Sequence, residues 1–184
     1  MPEYDRRVAA RLSLLLVLAS ALAAATAVAG PTGERASLRP YLAIAQAVAA
    51  PAPRCPVPPR FRPAFEAAVR ETRVPMAMLL AVAEVESGLR PDAVSPKGAR
   101  GLLQLMPATA AELQLDPDHP PSNVLGGARY LRRMLDLFSS TTLALAAYHA
   151  GPTAVAEAGG PPAADTAAYV AVVTARWRAL AGCG

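Results

Sequence analysis

Prolines and glycines divide the C-terminal two thirds of this sequence into short apolar segments with helical spacing. Prolines stand where helices begin, because the first turn of a helix needs no N–H donor, and glycines follow where helices end. The pattern predicts helices over residues 64–72, 75–87, 107–114, 123–138 (capped by Ser122), 141–150 and 152–158, and a last helix that is capped by Asp165 or Thr166 and ends near residue 181. No stretch alternates at strand period. We therefore expect a mainly α domain, α+β at most, with a minor β-hairpin possible at residues 98–105.

Glu86 stands at the end of the second of these helices, within its apolar stripe. At about 100° per residue, Glu86 shares that stripe with Met78, Leu79, Val82 and Val85. Glu84 points to the other side. A carboxyl at the edge of an apolar face loses hydration, which raises its pKa and keeps it protonated near neutral pH, as in glycosidase acids. The alternative is a solvated or capping residue, the commoner role of a lone Glu at a helix end.

A Pro- and Gly-rich loop and a short apolar run follow Glu86. The sequence Ser95-Pro96-Lys97-Gly98 has Pro and Gly where a tight turn requires them. Gly101 permits close approach of another backbone. Gln104 is the only amide in an apolar run that ends at Met106, so it needs a partner in the core or in a substrate. Residues 86–109 thus have the layout of an active site with one acid.

These residues resemble the signature of soluble lytic transglycosylases, lysozyme-like enzymes that cut the glycan strands of bacterial peptidoglycan. That signature is Glu-Ser-Gly, followed by Ser-Pro-x-Gly-Ala-x-Gly-Leu-Met-Gln-x-Met-Pro-x-Thr-Ala. The chain departs from it only at Leu103, where Met is usual. The resemblance implies a lysozyme-like single domain of packed helices that uses no cofactor or metal.

Three later segments resemble other parts of the same family. Residues 123–131 are similar to its Asn-Ile-x-x-Gly-x-x-Tyr-Leu helix, in which we expect Asn123 to lie near the helix start, Gly127 to allow close packing and Tyr130 to lie in the core. Residues 147–151 are similar to Ala-Tyr-Asn-Ala-Gly at the substrate groove, with His149 in place of Asn. Residues 165–170 are similar to Glu-Thr-Arg-x-Tyr-Val, from which Tyr169 could reach the acid.

The resemblance also implies a mechanism with one acid. Most glycosidases need two carboxylates, but here a strong motif places only Glu86. Protonated Glu86 would donate to the glycosidic oxygen between N-acetylmuramic acid and N-acetylglucosamine, and its carboxylate would then accept the proton of the C6 hydroxyl, closing a 1,6-anhydro ring. The substrate-binding residues implied are Ser87, Ser95, Gln104, Met106, Tyr148, His149 and Tyr169.

Two other functions are compatible with these residues. A hydrolase of the goose-type lysozyme sort would also use Glu86 but would add water to the same bond. A catalytically silent wall-binding module would keep the groove without turnover. A metal site is not expected, because His119, the only other histidine, lies in a Pro-rich loop without ligand spacing.

The first 29 residues have the pattern of a secretory signal peptide. Arg6, Arg7 and Arg11 precede an apolar run over residues 12–28, and the small residues 27–29 fit a cleavage site. The alternative is an uncleaved anchor, because about 17 apolar residues is the lower limit for spanning a bilayer. We expect export to the periplasm or cell wall, with no stable membrane insertion after cleavage.

The domain organisation follows from proline and cysteine. Residues 30–59 are rich in proline and read as a tether, and residues 60–184 form the enzyme-like domain, which should begin near Cys55 to Pro63. Cys55 and Cys183 are the only cysteines, one at each end of that domain. In an exported protein an even count favours a disulfide between them, the alternative being two free thiols.

Charge supports only a broad statement about partners. Removal of residues 1–29 takes away three Arg and two acidic residues, which lowers the formal charge from +4 to +3. This mildly basic balance suits approach to an anionic cell wall. No basic run with interleaved aromatic residues indicates nucleic-acid binding. We expect a monomer that binds peptidoglycan glycan strands, and its small size would suit work beside a secretion or conjugation apparatus.

Overall fold

The computed structural model describes residues 54–183, and this part of the chain is built from seven helices. They are α1 (Arg62–Thr72), α2 (Met76–Ser87), α3 (Pro107–Glu112), α4 (Pro120–Leu137), α5 (Thr141–Ala150), α6 (Pro152–Ala158) and α7 (Ala164–Ala179). Within the described residues, β structure is limited to isolated antiparallel bridges from Arg100 to Val94 and to Leu105. The expectation of a mainly α domain is confirmed.

Two of the predicted helix caps are wrong. Ser122 does not cap α4, because Pro120 and Pro121 already form its first turn and His119 precedes it. Proline is favoured there since its fixed φ suits a helix and its missing N–H has no intrahelical partner. At the start of α7, neither Asp165 nor Thr166 is the cap, because the helix begins at Ala164.

The core is formed around α2 and α5, two helices that are buried on nearly every side. In α2 every residue from Ala77 to Ala83 is buried, and in α5 the same holds from Ala144 to Tyr148. A helix that is apolar all round belongs in the interior of a domain. α7 packs against both α2 and α5, while α4 packs against α1 and α5. The end of α2, where Glu86 lies, is therefore close to α7.

A disulfide joins Cys55 to Cys183, with their Cα atoms 4.7 Å apart and a sequence separation of 128. Cys55 and Val57 are buried in the hydrophobic core. The last residues of the predicted tether thus pack against the helical domain. The predicted signal peptide and the tether up to residue 53 lie outside the described residues. Among the helices that are described, none has the length and apolar character needed to cross a bilayer.

Candidate active site

Glu86 lies in the last turn of α2, and its partly buried carboxyl accepts a hydrogen bond from α7. The Tyr169 hydroxyl donates to Glu86 Oε1 at 2.7 Å. α2 ends directly afterwards because Gly88 takes a left-handed conformation, with φ of 62°, and its N–H bonds to the carbonyls of Ala83 and Glu84. Tyr169 thus reaches Glu86 from the last helix, as the sequence predicted.

Burial sets the protonation state of Glu86. Loss of hydration raises the pKa of Glu86 from 4.5 to about 7, against the smaller opposing effect of the Tyr169 hydrogen bond, which lowers it. Burial also raises the pKa of Tyr169 and of Tyr148, with the Glu86 charge as a further cause, so both phenols stay neutral. A carboxyl whose pKa lies near neutrality can both donate and accept a proton within one reaction cycle.

Glu84 has a different partner from Glu86, although both carboxyls reach α7. The guanidinium of Arg176 pairs with Glu84 through Nε to Oε2 and through Nη2 to Oε1. Sequence spacing predicted that Glu84 would point to the other side of α2 from Glu86. In the structure both carboxyls find partners on α7, because Tyr169 and Arg176 lie about two turns apart along that helix. Glu84 is therefore occupied by an ion pair that links α2 to α7, whereas Glu86 has only a neutral hydroxyl as its described hydrogen-bond donor.

His149 stacks on the ring of Tyr169. Its imidazole lies against the Tyr169 ring with ring centroids 4.4 Å apart and an interplanar angle of 21°. His149 is exposed at the end of α5, whereas Tyr169 is buried. The structure thus brings three of the predicted site residues into one chain of contacts, His149 to Tyr169 to Glu86.

Three buried side chains hold the apolar run that precedes α3. Ser87 Oγ donates to the Leu102 carbonyl at 2.8 Å, and Tyr148 Oη donates to the Leu103 carbonyl at 2.7 Å. Asn123 Oδ1 accepts from the Leu103 N–H at 2.8 Å. These side chains come from α2, α5 and α4, so the run is fastened to three helices at once. For Ser87 and Tyr148 the described hydrogen bonds run to protein backbone.

Two glycines allow this run to lie so close to α4. A Cβ at Gly101, which has φ of 74°, would come within 2.4 Å of the Asn123 side chain. A Cβ at Gly127 would come within 2.5 Å of the Leu103 side chain. Both contacts are far shorter than van der Waals separation, so the close packing predicted for Gly101 and Gly127 is confirmed.

The remaining predicted substrate residues lie on the loop between α2 and α3. Ser95 Oγ accepts from the Ala99 N–H at 3.0 Å and closes the turn that Pro96 and Gly98 indicate. Gln104 Nε2 donates to the carbonyls of Ala93 and Gly101, so the amide has found partners in the loop itself. The Met106 side chain is exposed. No described hydrogen bond joins any of these three residues to Glu86.

Sequence reasoning missed two residues that organise the site. Asn123 was expected only near a helix start, but it is fully buried and its Nδ2 also donates to the carbonyls of Arg100 and Pro117. The available signal was a polar side chain at the start of the apolar face of an amphipathic helix. Arg176 was not singled out, and nothing local distinguishes it from the other arginines of the chain.

Two other features lie apart from these contacts. A shallow cleft of about 210 Å³ is lined by Ala64, Ala67, Glu71, Pro121, Ser122 and Leu125, and it shares no residue with the Glu86 site. Among the described residues, no three His, Cys, Asp or Glu side chains come together as a possible metal-binding group.

Comparison with known proteins identifies the family. The family described as "Transglycosylase SLT domain" matches residues 63–169, more than half of the chain. The chain belongs to the SLT transglycosylase family. The matched region of the SLT domain contains Glu86, Tyr148, His149 and Tyr169.

Curated relatives are longer than this chain. Membrane-bound lytic murein transglycosylase F 1 of Alkalilimnicola ehrlichii is 39% identical over 101 residues, which are 50% of this chain and 20% of the relative. A transglycosylase of Enterobacteria phage PRD1 is 43% identical over 75 residues, 40% of this chain and 28% of the relative. The similarity thus spans between 20% and 28% of the length of these relatives.

Solved structures share the fold of the SLT domain. An inactive mutant of lytic transglycosylase Slt from Pseudomonas aeruginosa aligns with a TM-score of 0.57 and 25% identity, over 65% of this chain and 23% of that one. The 70 kDa soluble lytic transglycosylase Slt70 of Escherichia coli aligns with a TM-score of 0.55 and 25% identity, over 67% of this chain and 25% of that one. The helical domain therefore has the fold of a lytic transglycosylase domain.

Proposed function

We propose that this protein is a peptidoglycan lytic transglycosylase that cleaves the β-1,4 bond between N-acetylmuramic acid and N-acetylglucosamine without water. Glu86 acts first as the acid and then as the base. The observation that carries the proposal is the desolvated Glu86 carboxyl, whose pKa of about 7 suits both roles. Its membership of the SLT family supports the reaction class.

The first step is protonation of the glycosidic oxygen by Glu86 as the bond to C1 of N-acetylmuramic acid breaks. Tyr169 donates its hydroxyl hydrogen to Glu86 Oε1, so the carboxylate left after proton transfer keeps a hydrogen-bond donor. In the second step this carboxylate takes the proton of the C6 hydroxyl, whose oxygen bonds to C1 and closes the 1,6-anhydro ring. Because that hydroxyl belongs to the same sugar, the entropic cost of a bimolecular attack is reduced.

The charges around Glu86 favour a mechanism with one carboxylate. Glu84 is paired with Arg176, so it is not free to act on a substrate. Asp92, the next acidic residue along the chain, is exposed on the loop after α2. Supporting evidence from a relative is that the Pseudomonas aeruginosa Slt structure is of an inactive mutant in which glutamine replaces a glutamate.

The predicted substrate-binding residues have different roles in the proposal. Met106 is exposed and available to sugar, whereas His149 is exposed but stacked on Tyr169. Ser95 and Gln104 lie on the loop that they help to fold. Ser87 and Tyr148 act indirectly, since their described hydrogen bonds run to the backbone of residues 83, 102 and 103. We propose that the loop between α2 and α3 forms one wall of the glycan groove.

We also propose that the protein acts outside the cytoplasm. The signal-like pattern of residues 1–29 supports export. The disulfide between Cys55 and Cys183 supports it independently, because such bonds persist in oxidising compartments.

The test uses purified peptidoglycan and mass spectrometry of the released muropeptides. Wild-type protein is expected to release 1,6-anhydro products, which are one water molecule lighter than the reducing products of a hydrolase. Glu86→Gln is expected to lose most activity, because general acid–base catalysis contributes about 10² to 10⁴ in rate. Glu84→Gln is the matched control on the same helix and is expected to keep the product type.

Each other outcome identifies a different function. Reducing products would identify a hydrolase of the same bond. If the wild type released no product and Glu86→Gln had the same effect on cells as the wild type, the protein would be a silent wall-binding module. Loss of activity in Glu84→Gln but not in Glu86→Gln would refute the assignment of the acid.

A further inference from the structure

His149 lies with its ring flat against the ring of Tyr169. The imidazole covers one face of Tyr169, with ring centroids 4.4 Å apart and planes 21° from parallel. We propose that His149 is a positioning residue that acts on Glu86 through Tyr169, holding the Tyr169 ring in place and excluding water from behind it. The inference rests on the proposed role of Glu86 as the acid.

The geometry explains how an exposed side chain can affect a partly buried acid. The Tyr169 oxygen lies on the axis about which the ring turns, so its position depends on χ1, and the His149 ring packed against Tyr169 restricts movement of the whole side chain. Tyr169 is only 8% exposed, and the neighbouring ring of His149 is exposed, so the imidazole lies between Tyr169 and solvent. The hydroxyl at the other end of Tyr169 lies 2.7 Å from Glu86 Oε1.

The direction of the effect follows from what sets the acidity of Glu86. Burial is the largest cause of its raised pKa, and the Tyr169 hydrogen bond is a smaller cause of opposite sign. Loss of the His149 ring would admit water beside Tyr169 and restore part of the lost hydration. The pKa of Glu86 would then fall toward 4.5.

Other groups near Glu86 are compatible with this assignment. α7 contributes Tyr169 and also Arg176, which is engaged by Glu84. α5 contributes the buried phenol of Tyr148 as well as His149. From the following loop, Arg90 Nε donates to the Ser87 carbonyl at 2.9 Å. Of the charged side chains of α1, which also packs against α2, Glu66, Arg70 and Glu71 are exposed. Arg62 is half-buried and donates to the carbonyls of Cys55 and Val57.

Two substitutions separate stacking from hydrogen bonding. His149→Phe keeps an aromatic ring but cannot form a hydrogen bond, whereas His149→Asn keeps a hydrogen-bonding side chain but removes the ring. If His149 positions Tyr169, phenylalanine can substitute for it without loss of function. If His149 contacts sugar, asparagine can do so instead. His119→Ala is the matched control, because His119 is exposed and its described side-chain contact is with Ser122.

The experiment measures kcat and KM on peptide-free glycan strands across the pH range for the wild type and these variants, with His149→Ala added. Aromatic stacking of this kind stabilises by an amount equivalent to about two- to tenfold, so we expect His149→Ala to lower kcat by about that factor near neutrality. KM should stay within about twofold of wild type.

The alkaline limb of the kcat/KM profile, where Glu86 loses its proton, should move to lower pH in His149→Ala. His149→Phe should keep the wild-type limb, and His149→Asn should behave like His149→Ala.

The opposite pattern would overturn the inference. A wild-type limb in His149→Ala, or an active His149→Asn beside a His149→Phe impaired mainly in KM, would mean that His149 contacts sugar instead. Equal melting temperatures of the variants would show that none acts by unfolding the domain. An active Glu86→Gln would refute the proposed function itself, whereas an inactive Glu86→Gln with an unmoved limb in His149→Ala would refute only the role of His149.

Discussion

The burial of Glu86 should make the stability of the domain depend on pH in a way that Glu86→Gln removes. The pKa of Glu86 is about 7 in the folded protein, against 4.5 for an ordinary glutamate. Between these values the folded domain holds a proton that the unfolded chain has released. The free energy of unfolding therefore falls as pH rises through this window, and the contribution of Glu86 is fully present only below it.

The size of this effect follows from the shift. At about 1.36 kcal/mol per pKa unit, the difference corresponds to about 3 kcal/mol. Gln is nearly isosteric with Glu and carries no titrating proton, so it removes this one contribution and leaves those of other groups in place. The unfolding free energy of Glu86→Gln relative to wild type should thus rise by about 3 kcal/mol between about pH 4 and about pH 8.

The assay is urea denaturation followed by circular dichroism, with the disulfide kept intact and the pH varied in steps. Glu84→Gln is the matched control, because it removes a carboxylate two residues away that is paired with Arg176. Its side chain and that of Arg176 are 21% and 42% exposed. Loss of such a pair should lower stability by about 0.2–1 kcal/mol. The two substitutions should therefore have opposite signs at about pH 8.

One result would refute the reasoning. If the difference between Glu86→Gln and wild type stayed constant from acid to alkaline pH, the carboxyl would have the same proton affinity in the folded and unfolded chains. Glu86 would then be hydrated, and the argument for a protonated acid at neutral pH would lose its basis.

Two further predictions concern the framework of the site. Asn123→Ala removes all three hydrogen bonds of a fully buried side chain, to Leu103, Arg100 and Pro117, and should lower the unfolding free energy by about 3 kcal/mol or more. Thr153→Ala, at an exposed position of α6, should stay within about 0.5 kcal/mol of wild type, and equal melting of both variants would contradict this. Replacing both cysteines by serine should destabilise by up to about 4.7 kcal/mol, the loop-entropy value for about 100 residues. Identical melting of oxidised and reduced wild type would count against that value.

The sequence predicted helices well where proline or glycine marks their ends. The predicted bounds of α5 and α6 match the structure because Gly151 ends one helix and Pro152 begins the next. The start of α4 was missed because two successive prolines were taken as loop, although both fit a first helical turn. The backbone restrictions of proline and glycine can therefore be predicted from sequence. The prediction is ambiguous where the same prolines fit both a loop and the first turn of a helix.

The candidate site was predictable in its members and less so in their contacts. Glu86 and Tyr169 were both named from sequence, and the hydrogen bond between them links residues 83 positions apart. The stack of His149 on Tyr169 and the bond from Tyr148 to Leu103 were not foreseen. Such contacts depend on how three helices are placed relative to one another, which helical periodicity alone does not determine.

The disulfide between Cys55 and Cys183 affects what happens to the protein after proteolytic cleavage. A single backbone cleavage anywhere between these residues would leave two fragments that remain covalently connected. Held at high effective concentration, the fragments could keep their packed arrangement instead of diffusing apart. A nicked molecule would then run as one species on a non-reducing gel and separate into two only after addition of a thiol.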